Sequence, residues 1–215
     1  MNKFIFKDIC LYESKTNYRV WLLMNDFKFY FTLGWQHIIN WNALDHLMFI
    51  MALTAIYLIR NWKQVLILVT AFTIGHSLTL ALSTYDVIRF NAAWVEFLIP
   101  LTIVITALLN LFQKNFQSKA LRVNYFLALF FGLIHGMGFA NSIRFMLAKQ
   151  QHIAMPLLGF NIGLEAGQIV VVLIILLVSF IAVNKAGLAR RWWISILSGA
   201  ALCIASYMCI ERWPL

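Results

Sequence analysis

The residues with the most chemical capacity in this chain are its histidines and acids, set in a sequence that is otherwise 62% hydrophobic. His37, Asp45 and His46 stand at the head of an apolar run, and His76 and His135 each lie inside a further run. Imidazole nitrogen and carboxylate oxygen are the donors that suit zinc, nickel, cobalt and iron. Thiolates are absent from this group, which argues against a copper(I) or iron–sulfur site. The three cysteines, Cys10, Cys203 and Cys209, form no metal-type pair and read as small apolar packers. A carboxylate inside a bilayer costs several kcal/mol unless something holds it. Asp45 therefore needs partners, and the histidines of other segments can supply them. One condition attaches. His37 and Asp45 are eight residues apart, ~12 Å along a continuous helix, so they can share an ion only if Asn40-Trp41-Asn42 breaks the chain direction.

The elements that must position these groups follow from composition. Only 12% of the 215 residues are charged, against about 25% in soluble domains, so the chain reads as a polytopic membrane protein. A β-barrel would alternate polar and apolar residues, and residues 169–183 do not alternate. The expected fold is all-α, a polytopic membrane helix bundle forming one domain over residues 24–215. A bilayer core of about 30 Å needs ~20 helical residues. Six runs qualify with some slack, at about residues 43–59, 64–83, 92–112, 123–147, 156–183 and 192–210. Asn42 is a candidate cap for the first, and Pro156 suits the first turn of the fifth. Residues 27–39 are aromatic and short, which predicts an interfacial or re-entrant piece. Residues 1–23 lack a long apolar core, so they read as a tail rather than a secretory signal, with Met24 as an alternative start.

The net charge of +9 orients the chain rather than attracting nucleic acid, because the basic residues sit at the ends of apolar runs. The loops after the first, third and fifth spans carry Arg60, Lys63, Lys114, Lys119, Arg122, Lys185, Arg190 and Arg191; those after the second and fourth carry Arg89, Arg144 and Lys149. The richer set belongs in the cytoplasm, which puts both termini outside. Helix rise then places His76 and His135 roughly 18 Å from the cytoplasmic end, Asp45 and His46 roughly 21–23 Å, and Glu96 slightly higher. Glu165 comes about 13 Å below the outer end of its span. All fall in the outer half of the membrane.

The faces agree as well. Asn161, Glu165 and Gln168 form one stripe at i, i+4, i+7. Thr73, His76, Ser77 and Leu80 cluster on one side of their helix, and Gly132 and Gly136 have the spacing that lets helices approach closely. Bland readings stand beside these. A lone membrane histidine is often a hydrogen-bond partner, Glu96 could be merely hydrated at an interface, and His152 reads as solvated in a loop.

The sequence resembles the second HupE/UreJ-like subgroup of the HupE/UreJ membrane proteins, common in bacterial genomes, over residues 24–212. The resemblance rests on His37 with Asp45-His46, on residues 72–79 around Gly75-His76-Ser77, on residues 131–139 around His135-Gly136, and on residues 160–168 around Glu165. It implies a six-to-eight-helix transporter in the bacterial inner membrane, with nickel or cobalt uptake. Family members carry a histidine, five residues, then Asp-His; here seven residues intervene. Their later motif, Phe-His-Gly followed by Ala-His and a glutamate, is echoed only by His135-Gly136, and Glu165 could replace the missing carboxylate.

Three functions follow as expectations. The first is a permease for a divalent transition metal, with His37, Asp45, His46, His76 and His135 as ligands. Ser77, Glu96, Asn161, Glu165 and Gln168 would line the path. The sequence holds no nucleotide-binding motif, so a gradient or a separate partner would drive movement. The second is a zinc-dependent intramembrane hydrolase, with Ser77 beside His76 and Glu165 as general base. Ligands that meet at one point beside an open position would favour it. The third is a membrane scaffold whose polar residues only join helices. Lipid and the metal ion are the expected partners, and association of the chain with itself is left open.

Overall fold

A computed structural model describes residues 24–40, 44–113, 118–147 and 153–214. Every regular element among them is helical. In chain order they are α1 (residues 24–39), α2 (Leu44–Thr54), a single 3-10 turn (Ile59–Asn61), α3 (Trp62–Thr84), α4 (Ala92–Phe112), α5 (Ser118–Leu147), α6 (Ala154–Ser179) and α7 (Arg190–Glu211). A π-helical stretch, Phe180–Lys185, extends α6. The expected tail, the cap at Asn42, Cys10 and the loop holding His152 lie outside the described residues.

The chain forms an all-α bundle. Four helical stretches, Ile59–Thr84, Ala92–Phe112, Ala154–Lys185 and Arg190–Glu211, are long and apolar enough to cross a membrane. Two shorter apolar stretches, Leu44–Thr54 and Asn124–Ala140, complete the set. α4 has the bounds expected from the sequence, and the Asn91 side chain caps it by accepting from the Ala93 amide at 3.0 Å. α5 begins earlier than expected, so part of the basic segment after α4 is helical.

The first expected span differs most. Its helix covers only Leu44–Thr54, about 16 Å of rise, and Ala55, Ile56 and Tyr57 follow as buried, irregular chain. Irregular backbone at membrane depth persists only where protein satisfies its polar groups. Here side chains distant in sequence do so. Asn110 donates to the Ala52 carbonyl at 2.6 Å, and Arg190 donates to the Ile56 carbonyl at 2.6 Å. The Thr54 hydroxyl returns to the Ile50 carbonyl at 2.6 Å, closing the last turn.

Two glycine seams hold the rest together. On α6, Gly159, Gly163 and Gly167 face Phe27, Phe31 and Trp35 of α1. The pairs advance together, so the two helices run parallel. The segment read as interfacial or re-entrant is thus a helix laid along α6. On α5, Gly132 and Gly136 face Phe72 and His76 of α3, again parallel, while Gly75 of α3 faces Leu129. These contacts are backbone to backbone, the close approach that small residues allow within membranes.

A methyl group at Gly132 would overlap the Phe72 carbonyl, whereas one at Gly199 meets nothing within 4 Å. Gly132→Ala is therefore expected to destabilise the purified protein by about 1–3 kcal/mol through overpacking. Gly199→Ala should be neutral or stabilise by about 0.5–1 kcal/mol through helix propensity. Thermal unfolding in detergent measures both, and equal melting temperatures for the two variants would contradict the seam.

Candidate metal centre

Two successive helices, α1 and α2, bring the first histidines together. α1 ends at Ile39 and α2 begins at Leu44. His37 and His46, nine positions apart in sequence, consequently lie with ring centroids 4.5 Å apart. The α3 helix adds His76, whose ring centroid is 6.4 Å from both. One ligand nitrogen from each of His37, His46 and His76 lies within 4.8 Å of the others. Two nitrogens bound to a tetrahedral ion at ~2.1 Å would be about 3.4 Å apart, so modest side-chain rotation closes the set. α5 adds His135 against His46, with ring centroids 5.2 Å apart.

The hydrogen-bond state of these rings is informative. His76 is fully buried, His135 is 1% exposed and His46 is 4% exposed. Among the described residues, His37 Nε2, His46 Nε2, both nitrogens of His76 and His135 Nδ1 are buried without a hydrogen-bond partner of good geometry. Asn161 lies beside His76 but does not complete such a bond, and its own Oδ1 is also unpartnered. Buried polar groups ordinarily find partners. A cluster of imidazole nitrogens aimed at one another is the donor set of a borderline transition metal.

Asp45 stands behind His46 rather than within the converging triad. His46 Nδ1 donates to its Oδ1 at 3.1 Å, and the His46 backbone N–H donates to the same oxygen at 2.9 Å. Arg212, at the end of α7, donates to the other oxygen at 3.3 Å. A carboxylate that holds one ring nitrogen fixes the tautomer and turns the other nitrogen, here Nε2, toward the site. His135 is oriented likewise by the Thr102 hydroxyl, 3.1 Å from its Nε2.

A cleft of about 350 Å³ opens on the cluster, lined by His37, Asp45, His46, Glu96, His135 and Arg212. Pro100 interrupts the hydrogen bonding of α4 one turn beyond Glu96, leaving the Glu96 carbonyl without its helical donor. A second cavity of about 240 Å³ shares Glu96 and Gly138 with the cleft. Its rim is fixed by Asp86, which accepts from Arg89 and from Arg144. The Arg89 hydrogen bond holds the Asp86 carboxyl below the usual carboxylate range, and Arg144 adds to that.

The other residues singled out from the sequence lie elsewhere. Glu165 accepts a hydrogen bond from Thr70 at 2.7 Å, and Gln168 accepts one from Thr73 at 2.9 Å, both on the seam between α3 and α6. Ser77 is half-buried, follows His76 on its helix and does not line the cleft. The sequence reading missed Arg212 and Thr102. Arg212 carried a signal, being a cation at the end of a span on the same side as Asp45. Thr102 carried one too, because Thr102, Thr106 and Asn110 recur at i, i+4, i+8 in an otherwise apolar helix.

A family model described as HupE / UreJ protein matches residues 14–212, nearly the whole chain. No curated protein and no solved structure matches it.

Removing the carboxylate behind His46 while keeping its shape tests the orienting role. Asp45→Asn is expected to weaken binding of a divalent transition metal by 10–100-fold, the usual cost of a lost outer partner. His76→Ala should abolish it. Calorimetric titration with cobalt and zinc distinguishes the two grades of loss, and equal loss in both variants would place Asp45 among the direct ligands instead.

Proposed function

The chain belongs to the HupE/UreJ family, and we propose that it is a membrane permease for a divalent transition-metal cation of the nickel or cobalt type. The observation that carries this is the triad of His37, His46 and His76, three imidazoles from three helices whose ligand nitrogens converge within 4.8 Å in a buried setting. The cation is the cargo. It enters through the cleft past Glu96 and is received by the triad, with Asp45 orienting His46 and His135 completing the polar wall. Asn161 stands beside the site, and Glu165 and Gln168 lie further along the same α6 stripe. Neutral imidazoles bind a metal tightly enough to desolvate it, yet release it more readily than thiolates do. The loop charges support a cleft that opens outward from the bacterial inner membrane, an arrangement that suits uptake.

A second reading has one observation in its favour. The ligands meet at a point beside an open cleft, as a zinc hydrolase requires. Its expected base, Glu165, is instead bonded to Thr70 on the α3–α6 seam, and Ser77 does not face the cleft. Ser77, Glu165 and Gln168 thus lie off the cleft for either reading; a permease keeps Glu96 at its entrance, whereas the hydrolase is left without its expected base.

Purified protein in liposomes, given nickel or cobalt outside and a fluorescent chelator inside, is expected to fill with metal. Asp45→Asn should reduce the rate at least tenfold and His76→Ala should bring it to background. Full uptake by His76→Ala would remove the triad from the path. Metal-dependent cleavage of a peptide or lipid substrate without metal flux would instead select the hydrolase.

A further inference from the structure

The helices that meet at the histidines share a second register. Away from the cleft, α2 presents His46, then Phe49, then Leu53. In the opposite sense α5 presents His135, then Phe131, then Leu127, and α3 presents His76 and then Phe72. In each helix an aromatic ring follows the histidine by about one turn. Phe49, Phe72 and Phe131 are at most 3% exposed and form one layer. The Phe49 ring is 4.9 Å from Phe72 and 6.0 Å from Phe131, and His135 rests on this layer at 4.9 Å from Phe49 and 5.2 Å from Phe72.

The far side of the layer carries polar groups among leucines. Phe131 and Leu53 wall a small cavity of about 10 Å³ with Thr106, Asn110 and Asn124, room for about one water molecule. Its polar atoms are neutral oxygens and amides. The stripe Thr102, Thr106, Asn110 on α4 runs past the aromatic layer, beginning at His135 and ending in this cavity. From there Asn124 reaches the Tyr57 hydroxyl at 3.4 Å, and Tyr57 belongs to the irregular chain that leads toward Arg60 and the basic end. Asn110 also serves the fold, donating to the Ala52 carbonyl and to the Ser198 hydroxyl, and the cavity beside it lies where a path past the layer would emerge. Apolar constrictions between polar chambers gate ion paths by excluding water, and broken helices recur at transport sites. α2 is a short piece followed by non-helical chain at residues 55–58, so Phe49 can move with α2 while the α3–α5 seam stays closed.

Building on the permease reading, we propose that Phe49, Phe72 and Phe131 form the inner gate of the cation path, closed in this structure. The cavity of Thr106, Asn110 and Asn124 is the chamber onto which it opens.

The test uses the full chain with Cys10, Cys203 and Cys209 replaced by serine, reconstituted in liposomes of known sidedness. A single cysteine is placed in the chamber as Thr106→Cys and challenged with a membrane-impermeant maleimide from the Asp45 side. Slow labelling is expected behind the intact layer. Adding Phe131→Ala should accelerate it at least tenfold, and adding Phe49→Leu a few-fold, the milder change serving if the larger one does not fold. A control cysteine at Ala201, buried on α7, should stay unlabelled throughout. Unchanged labelling at Thr106→Cys, or equal acceleration at Ala201→Cys, overturns the gate. The labelling needs no metal, so a cobalt titration on the same liposomes separates the two ideas. Accelerated labelling without cobalt binding keeps the gate and removes the metal reading, while cobalt binding without acceleration does the reverse.

Discussion

Five buried imidazole nitrogens, with no hydrogen-bond partner among the described residues, are the constraint around which the bundle is arranged. An unmet buried polar group costs roughly 1–3 kcal/mol, and a whole domain is stable by only about 5–15 kcal/mol. Such a cluster persists only if the surrounding helices leave the rings no better place to go. The glycine seams do this. They set the α3 and α5 backbones in contact at Gly132 and Gly136, directly beside His76, and they fix α1 along α6 so that His37 faces the same point. The half-buried carboxylate of Asp45 is met on both oxygens, by His46 and by Arg212.

Much of this architecture could be read from the residues alone. The apolar runs located the helices well, because length and hydrophobicity in a membrane leave few alternatives, and α4 shows the agreement at both ends. The sequence posed a condition for His37 and Asp45 to share an ion; the structure sets His46, not Asp45, beside His37, and residues 41–43 lie outside the described residues. The early end of α2 was not legible. Residues 55–59 are as apolar as those before them, and what terminates the helix is the pair of donors from Asn110 and Arg190, more than fifty residues away. Local composition carries no trace of them.

The site was legible in its members and less so in their roles. Histidines stood out because they are rare in apolar runs. Which of two adjacent residues faces the centre, and which stands behind, depends on the direction α2 takes after α1, so Asp45 and His46 could not be told apart beforehand. Asn161, Glu165 and Gln168 share a stripe by spacing, yet Asn161 lies beside His76 while the other two meet Thr70 and Thr73. A stripe gives the face of a helix and not how far along that face a neighbour extends. Thr102 was overlooked for a plainer reason, since threonine in a helix commonly bonds its own backbone, as it also does here to Ile99 at 2.7 Å.

The two parallel seams have a mechanical consequence. One stiff pair, α1 with α6, contributes His37; the other, α3 with α5, contributes His76 and His135; the short α2 contributes His46. An ion held by the triad would therefore be a rivet between the two pairs and α2, beside the hydrogen bonds that already join α3 to α6. Any rocking of one pair against the other takes a donor out of reach and turns a three-point attachment into a two-point one. Affinity and posture become the same variable, and a ligand can bias a conformation only by binding its alternatives unequally. Under the permease reading, letting go of the ion would need only a change in the angle between the two seams.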